Sequence, residues 1–309
     1  LCVAVFDLRG KVSALSDRAQ TAEATLEKVL GEVTRTRIEQ SVNGQGINAL
    51  IEKIAAYAPI LIEAHVAKPD YEAAKREMDA VLRAVQAIGA DAFGPLQERL
   101  LKADPQKDIT LQKLLLDAAL RADPARGKQL AVKLVEGFQV PTSPPLRWYA
   151  GNKLVEADQP LARQTLRNIL GYESNRGIDP QHAPPGWTPG LTNNSSGFYN
   201  FISIYLRSAD PQAEETLLMV LGRAEHDMAT LQECITALGD MKSKQAARPI
   251  ESLYRNPPSF NPMFQNRCLD ALASILGKDA CPLFSEELKH QTQDLVVKRL
   301  QLLMRDLGC

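Results

Sequence analysis

Residues 120–124 read LRADP, and the phrase returns with small changes as LKADP at 101–105, VEADQP at 155–160 and LRSADP at 206–211. Its chemistry is that of a helix joint. An Asp ahead of a helix accepts a hydrogen bond from the amides that the first turn leaves unpaired. A Pro at the first helical position lacks the amide that would go unpaired anyway. The apolar residue before Ala closes the preceding helix. The four phrases therefore predict tight helix–helix joints at Asp104, Asp123, Asp158 and Asp210. Their spacings of 19, 35 and 52 residues do not keep one period.

A second phrase lies between them. AIGADAFGPL at 87–96, ALGDMKSKQAARPI at 237–250 and ILGKDACPL at 275–283 each run from an apolar helix into Gly, through a short polar turn, to Pro. Gly89, Gly239 and Gly277 are read as left-handed caps, and Pro95, Pro249 and Pro282 as openings of the next helix.

This second phrase resembles the joint inside the repeats of the HEAT family, within the armadillo/HEAT superfamily of α-solenoids. The likeness covers 84–101, 233–254 and 271–288 and is weak at 141–200. It implies an all-α chain, a right-handed solenoid of about five or six helical hairpins in which neighbours supply each other's core. Helices are expected at 1–40, 47–66, 70–88, 94–102, 105–121, 124–137, 144–157, 160–170, 197–208, 211–223, 227–238, 245–255, 261–276 and 282–306. Pro59 should kink or split the second, and a break is expected near 291.

Composition agrees. Hydrophobic residues make up 45% of the 309, charged residues 24% and aromatics 6%. Ala and Leu abound and long β-branched runs are missing, which favours helices over a barrel or sandwich. Lys and Arg number 36 against 37 Asp and Glu, and four successive segments of the chain are each balanced to within one charge. The basic excess that phosphate neutralisation needs is absent, so nucleic acid is an unlikely partner. The Ala-, Arg- and Leu-rich composition points to a bacterial source.

The first forty residues differ from the rest. Val5, Leu8, Val12, Leu15, Ala19, Ala22, Leu26, Val29 and Val33 step by three and four, an a/d heptad seam with charged residues between. Two readings fit: a coiled-coil stalk of about 55 Å, or an amphipathic helix folded back on its own domain. Ahead of the seam, LCVAVF carries no polar side chain and reads as the end of a membrane anchor. The organisation expected is anchor end 1–6, stalk 7–40, turn 41–46 around Asn43-Gly44, and a HEAT-like body 47–309.

One segment breaks the helical pattern, GYESNRGIDPQHAPPGWTPGLTNNSS at 171–196. Loops of this length inside an array are uncommon and often functional. Trp187, with Tyr172, Phe198 and Tyr199, is a candidate aromatic anchor for a partner, and Trp148 is a further candidate. The alternative is that Trp187 pins the loop to the body. Asp179 and His182 are too few to hold a metal. Five cysteines form no CxxC pair. Cys234 and Cys268 sit on apolar helix faces as small core residues; in an extracytoplasmic body, Cys234, Cys268, Cys281 and Cys309 can supply two disulfides.

No signature of metalloprotease, serine hydrolase, P-loop or dinucleotide site occurs, and no cofactor, metal or catalytic residue is assigned. The expected function is a non-enzymatic scaffold or interaction subunit, tethered to a membrane through its N-terminus and joined to other subunits through the seam and the body surface. Its body is expected outside the cytoplasm. The alternatives are a cytosolic adaptor without a membrane link and an enzyme on a HEAT-like body, a lyase or a nucleic-acid-acting one.

Overall fold

A computed structural model describes residues 46–62, 66, 68–137, 142–174, 198–222, 228–259 and 261–309. The seam residues Val5 to Val33, the anchor run and Trp187 lie outside the described residues. Among the described residues the chain is all-helical, without a strand. It divides into two compact units at Gly127 and Lys128.

The first unit contains α1 (Gly46–Tyr57), α2 (Pro69–Ile88), α3 (Phe93–Lys102), α4 (Ile109–Ala122) and the first turn of α5 (Pro124–Glu136). Helix α1 packs on α2, α3 and α4, and α4 packs on both α2 and α3. Apolar residues at helical spacing explain why: Ala74, Met78, Val81, Leu82 and Val85 form one buried stripe on α2, facing Leu115, Leu116 and the other buried residues of its neighbours. The helix expected at 47–66 stops at Tyr57, and residues 58–60 turn. Pro59 ends the helix rather than bending it: deep in a helix its ring crowds the preceding turn and it has no amide to continue the hydrogen-bond ladder.

The second unit contains the rest of α5, then α6 (Pro144–Ala157), α7 (Gln159–Ser174), α8 (Phe198–Arg207), α9 (Ala213–Leu221), α10 (Met228–Asp240), α11 (Ala247–Arg255), α12 (Pro262–Leu276), α13 (Cys281–His290) and α14 (Asp294–Leu307). Alternate helices pack side by side: α6 on α8, α8 on α10, α10 on α12 and α12 on α14. Each also packs on a sequence neighbour, as α6 on α7, α9 on α10, α11 on α12 and α13 on α14. The break expected near 291 falls between His290 and Asp294, where Gln291 Oε1 accepts from the amides of Thr292 and Gln293. Helix α7 runs to Ser174, four residues into the segment expected to begin a loop at 171.

The Asp-Pro phrases form the joints expected, in two versions. Asp123 caps α5 by accepting from the Arg126 amide at 3.0 Å, and Asp158 caps α7 by accepting from Leu161 at 3.1 Å. At Asp104 and Asp210 the carboxylate accepts from residues two ahead, Gln106 at 2.8 Å and Gln212 at 3.1 Å. There a turn comes first, so α4 and α9 begin at Ile109 and Ala213, later than expected.

The Gly phrases are alike at two joints and different at the third. Gly89 has φ +74 and ψ −144, and Gly277 has φ +58 and ψ −131, a region open essentially to glycine but not the left-handed helical cap expected. Short 3-10 turns, Gly89–Ala92 and Gly277–Ala280, lead from each into the next helix. Gly239 is not a cap. Helix α10 runs on to Asp240, and the positive φ of +53 belongs to Lys242. Gly239 is needed for a different reason. A Cβ there would sit 2.9 Å from both Cα and Cβ of Ala271, so its bareness lets α12 approach α10. Ser274 Oγ donates to the Gly239 carbonyl at 2.8 Å across the same contact.

A second regularity was not expected. The fourth residue of three helices is polar and buried, and it reaches back to the carbonyls that end an earlier helix. Gln112 of α4 donates to Leu100 and Ala103 at 3.4 Å each. Arg147 of α6 donates to Val135 at 2.9 Å and Glu136 at 3.3 Å. Gln265 of α12 donates to Tyr254 at 3.4 Å. Each reaches carbonyls at a helix C-terminus, where accepting capacity is left over; the Leu100 carbonyl also accepts from the Ala103 amide. Arg147 also lies over the Phe201 ring at 5.0 Å.

Of the four cysteines offered for two disulfides, one pair is joined. Cys281, the first residue of α13, is bonded to Cys309, with Cα atoms 5.5 Å apart. Cys234 and Cys268 are buried thiols outside any disulfide, the core role expected of them. Burial pushes the Cys268 thiol up to about 12, so it stays protonated and unreactive in the fold.

Candidate functional site

The LRSADP phrase builds the most polar interior of the second unit. Ala209 adopts φ +51, a conformation that costs a non-glycine residue about 1–2 kcal/mol. That turn is followed by Asp210, whose side chain is 1% exposed. Its Oδ1 caps the turn by accepting from Gln212. Its Oδ2 accepts from the Tyr205 hydroxyl of α8 at 2.7 Å, and from Nε and Nη2 of Arg167 of α7 at 2.9 and 2.7 Å. Thr216 Oγ1 of α9 stands 3.0 Å from the Tyr205 oxygen and donates to the Gln212 carbonyl at 3.0 Å. One carboxylate thus ties three helices.

The charges follow from that geometry. Burial acts to raise the Asp210 pKa, but the Gln212 amide, the Tyr205 hydroxyl and the Arg167 guanidinium outweigh it, and the carboxyl is held below its ordinary range. Its hydrogen bond and charge raise Arg167 in turn. Burial, with the bond donated to Asp210 adding to it, pushes the Tyr205 phenol up to about 12. The network is a closed ion pair with a neutral phenol.

Beside it opens a cleft of about 700 Å³. Helix α7 lines it with Arg167, Asn168, Ile169 and Gly171, while α9 and the turn before it contribute Gln212, Glu215, Thr216 and Met219. Helix α5 adds Glu136, whose carboxyl is raised by burial. The volume is that of a small-ligand or side-chain pocket. Its hydroxyl and guanidinium are already engaged by Asp210, Tyr205 and Gln212, which leaves carboxylates, amides and apolar carbons facing the space. What such a lining can do is bind. Among the described residues no group of three metal-ligating side chains assembles.

Of the residues expected from the sequence, only Trp148 and Tyr199 have described side chains, and neither lines this cleft. Trp148 and Tyr199 are half-buried on α6 and α8. The Trp148 indole N–H is buried and has no acceptor among the described residues. Tyr172 and Phe198 lie on α7 and α8 with side chains outside the described part, as is the whole of Trp187. Asp210 was visible as a cap, but Arg167 and Tyr205 were not singled out. Arg167 is 43 positions from its partner, and nothing local marks the pairing. A Tyr five residues before a capping Asp was the one signal at hand.

Comparison with protein-family models, with curated proteins and with solved structures finds no match to this chain. Among the described residues no helix is long and apolar enough to cross a membrane.

Proposed function

We propose that this chain is a non-enzymatic scaffold or interaction subunit: a right-handed α-solenoid of about five or six HEAT-like hairpins, carried on an N-terminal coiled-coil stalk and tethered to a membrane as part of a larger assembly. The observation that carries the reading is the alternate-helix packing from α6 to α14, in which one helix after another covers the next. Such arrays present extended surfaces to other proteins. The glycine joints at Gly89 and Gly277, alike in backbone and in the 3-10 turn that follows, support the same repeat. The heptad from Val5 to Val33 supplies a seam for one or two partner helices. The Cys281–Cys309 bond supports a body outside the cytoplasm, since thiols there are not kept reduced.

The test uses the full-length protein in its own cells. The double variant Val12→Asp, Leu15→Asp puts two charges into the seam. Membrane fractionation and native gels should find the wild type in the membrane fraction within a complex, and the variant on the membrane but out of the complex. Wild-type protein that is soluble and of monomer size sinks the proposal in favour of an adaptor without a membrane link.

A further inference from the structure

We propose that the cleft between α7 and α9 is a docking site for a basic segment of a partner protein, receiving an arginine or lysine side chain next to an apolar one. This rests on the scaffold reading and specifies the partner's chemistry. The argument begins with charge. Among the described lining residues Arg167 is the single cation, and its Nε and Nη2 are both spent on Asp210 Oδ2. That pair is neutral as a unit. Glu136 and Glu215 face the same space, and among the described residues no basic side chain pairs with either. The uncompensated charge of the cleft is therefore negative, on a chain whose charges otherwise balance. An acidic segment would meet two carboxylates and no free cation, so charge complementarity selects a basic one.

The rest of the lining suits the stem that carries such a charge. Ile169, 1% exposed, backs the wall of the cleft, and the exposed apolar contact comes from Met219. Met219 is 37% exposed, and its thioether is unbranched and adaptable, a residue suited to varied aliphatic contacts. Its Cε lies 3.5 Å from where a Cβ on Gly171 would stand, which sets the thioether beside the backbone of α7. Lysine and arginine lay their methylene stems along apolar surface while the head group stays among polar atoms. The amides of Asn168 and Gln212 add acceptors for a guanidinium. A volume of about 700 Å³ holds a long side chain together with an apolar neighbour. The half-buried carboxyl of Glu136, raised by burial, fits a site whose positive charge arrives with the ligand.

The experiment labels the methionine methyl groups of the full-length protein with carbon-13 and assigns Met219 by the variant Met219→Leu. The probes are two acetylated, amidated tripeptides, Leu-Arg-Ala and Leu-Glu-Ala, and free spermidine. The Arg peptide should shift the Met219 methyl signal saturably, and the Glu peptide should leave it in place. The double variant Glu136→Gln, Glu215→Gln should weaken the Arg peptide about tenfold, as expected for losing two partly exposed ion pairs. Asp79→Asn, an exposed carboxylate in the other unit, should change nothing. Equal shifts from both peptides, or an unchanged titration in the double variant, overturn the proposal. Tighter binding of spermidine than of the peptide also overturns it, in favour of a free polyamine. The scaffold reading fails separately, in the fractionation of the seam variant, which does not involve Met219.

Discussion

Replacing Asp210 by Asn tests whether one carboxylate holds α7, α8 and α9 together. The side chain keeps its size and loses its charge. The amide can be placed in two ways. With its nitrogen at the Oδ2 position it would face three donors, the Tyr205 hydroxyl and two Arg167 N–H groups. With its nitrogen at Oδ1 it meets only the Gln212 amide, so this placement wins, and the capping bond is lost. A lost cap costs about 1 kcal/mol. The bonds at the remaining oxygen fall from charge-assisted to neutral strength, which costs a further 1–2 kcal/mol or so once Arg167, about a third exposed, is discounted for solvent screening. The sum is about 2–3 kcal/mol, or about 4–12 °C in the melting temperature of a unit this size. Circular dichroism melts and urea titrations at pH 7 read it directly. The pH dependence supplies the stricter check. Asp210 is held below its ordinary value of 3.8 in the fold, so its contribution is complete above that value and is lost as the pH falls through the folded value. Wild type and Asp210→Asn should differ fully at pH 7, the gap should narrow as the pH falls below about 4, and it should close only below the depressed folded value, where the wild-type carboxyl is itself neutral. A gap that stays constant down to pH 2.5 or so, or that is under about 1 kcal/mol at pH 7, refutes the reasoning.

Three further expectations come from packing and joints. Gly239→Ala drives a Cβ into the backbone of Ala271 and should cost about 1–3 kcal/mol, while Gly89→Ala meets no atom within 4 Å and should cost a similar amount through its φ of +74 alone; urea denaturation measures both, and an unchanged midpoint in either rejects its mechanism. Arg147→Met strands the Val135 and Glu136 carbonyls and should lose about 2–3 kcal/mol, more than Gln112→Leu, whose bonds are neutral and longer; the reverse order of urea midpoints would contradict the account. Reduction of Cys281–Cys309 opens a loop with a sequence separation of 28 and should lower stability by about 3–4 kcal/mol on the chain-entropy estimate. In the native protein without reductant, alkylation followed by mass spectrometry should leave all four of Cys234, Cys268, Cys281 and Cys309 unmodified, and a modified Cys281 would count against the bond.

The helices and most joints were legible because their signals are local. An Asp reaches an amide two or three residues ahead, and a glycine cap concerns its own φ and ψ, so Asp123, Asp158, Gly89 and Gly277 are each decided by a handful of neighbouring residues. Gly239 misled because the same letters, an apolar helix running into Gly, serve two different needs. Its role depends on Ala271, a residue of another helix, and the left-handed turn passed to Lys242. The helix at 47–66 was extended too far for a related reason. Apolar residues past Pro59 keep a helical rhythm, but the ring ends the helix at Tyr57 whatever the rhythm says. The cleft had no signature at all, since Glu136, Arg167 and Glu215 come from three helices and no short window holds them together.

The polar residues at the fourth position show where a sharper reading was within reach. Gln112 stands in ITLQKLLL and Gln265 in PMFQNRCL, each interrupting an apolar stripe at a position that should be buried. Periodicity alone treats such a residue as noise in an amphipathic pattern. Burial of an unpaired amide costs too much for that to hold, so each must find acceptors. Within its own helix the carbonyls are taken. The nearest available ones end the helix before, where the last carbonyls are left with spare accepting capacity. A buried Gln or Arg one turn into a helix therefore identifies the helix it packs against, at 9 to 12 residues back for Gln112 and 11 and 12 for Arg147. Hairpin pairing, invisible to capping motifs, is written in those interruptions, and Arg147 writes it most strongly because a charge left unpaired there would cost most.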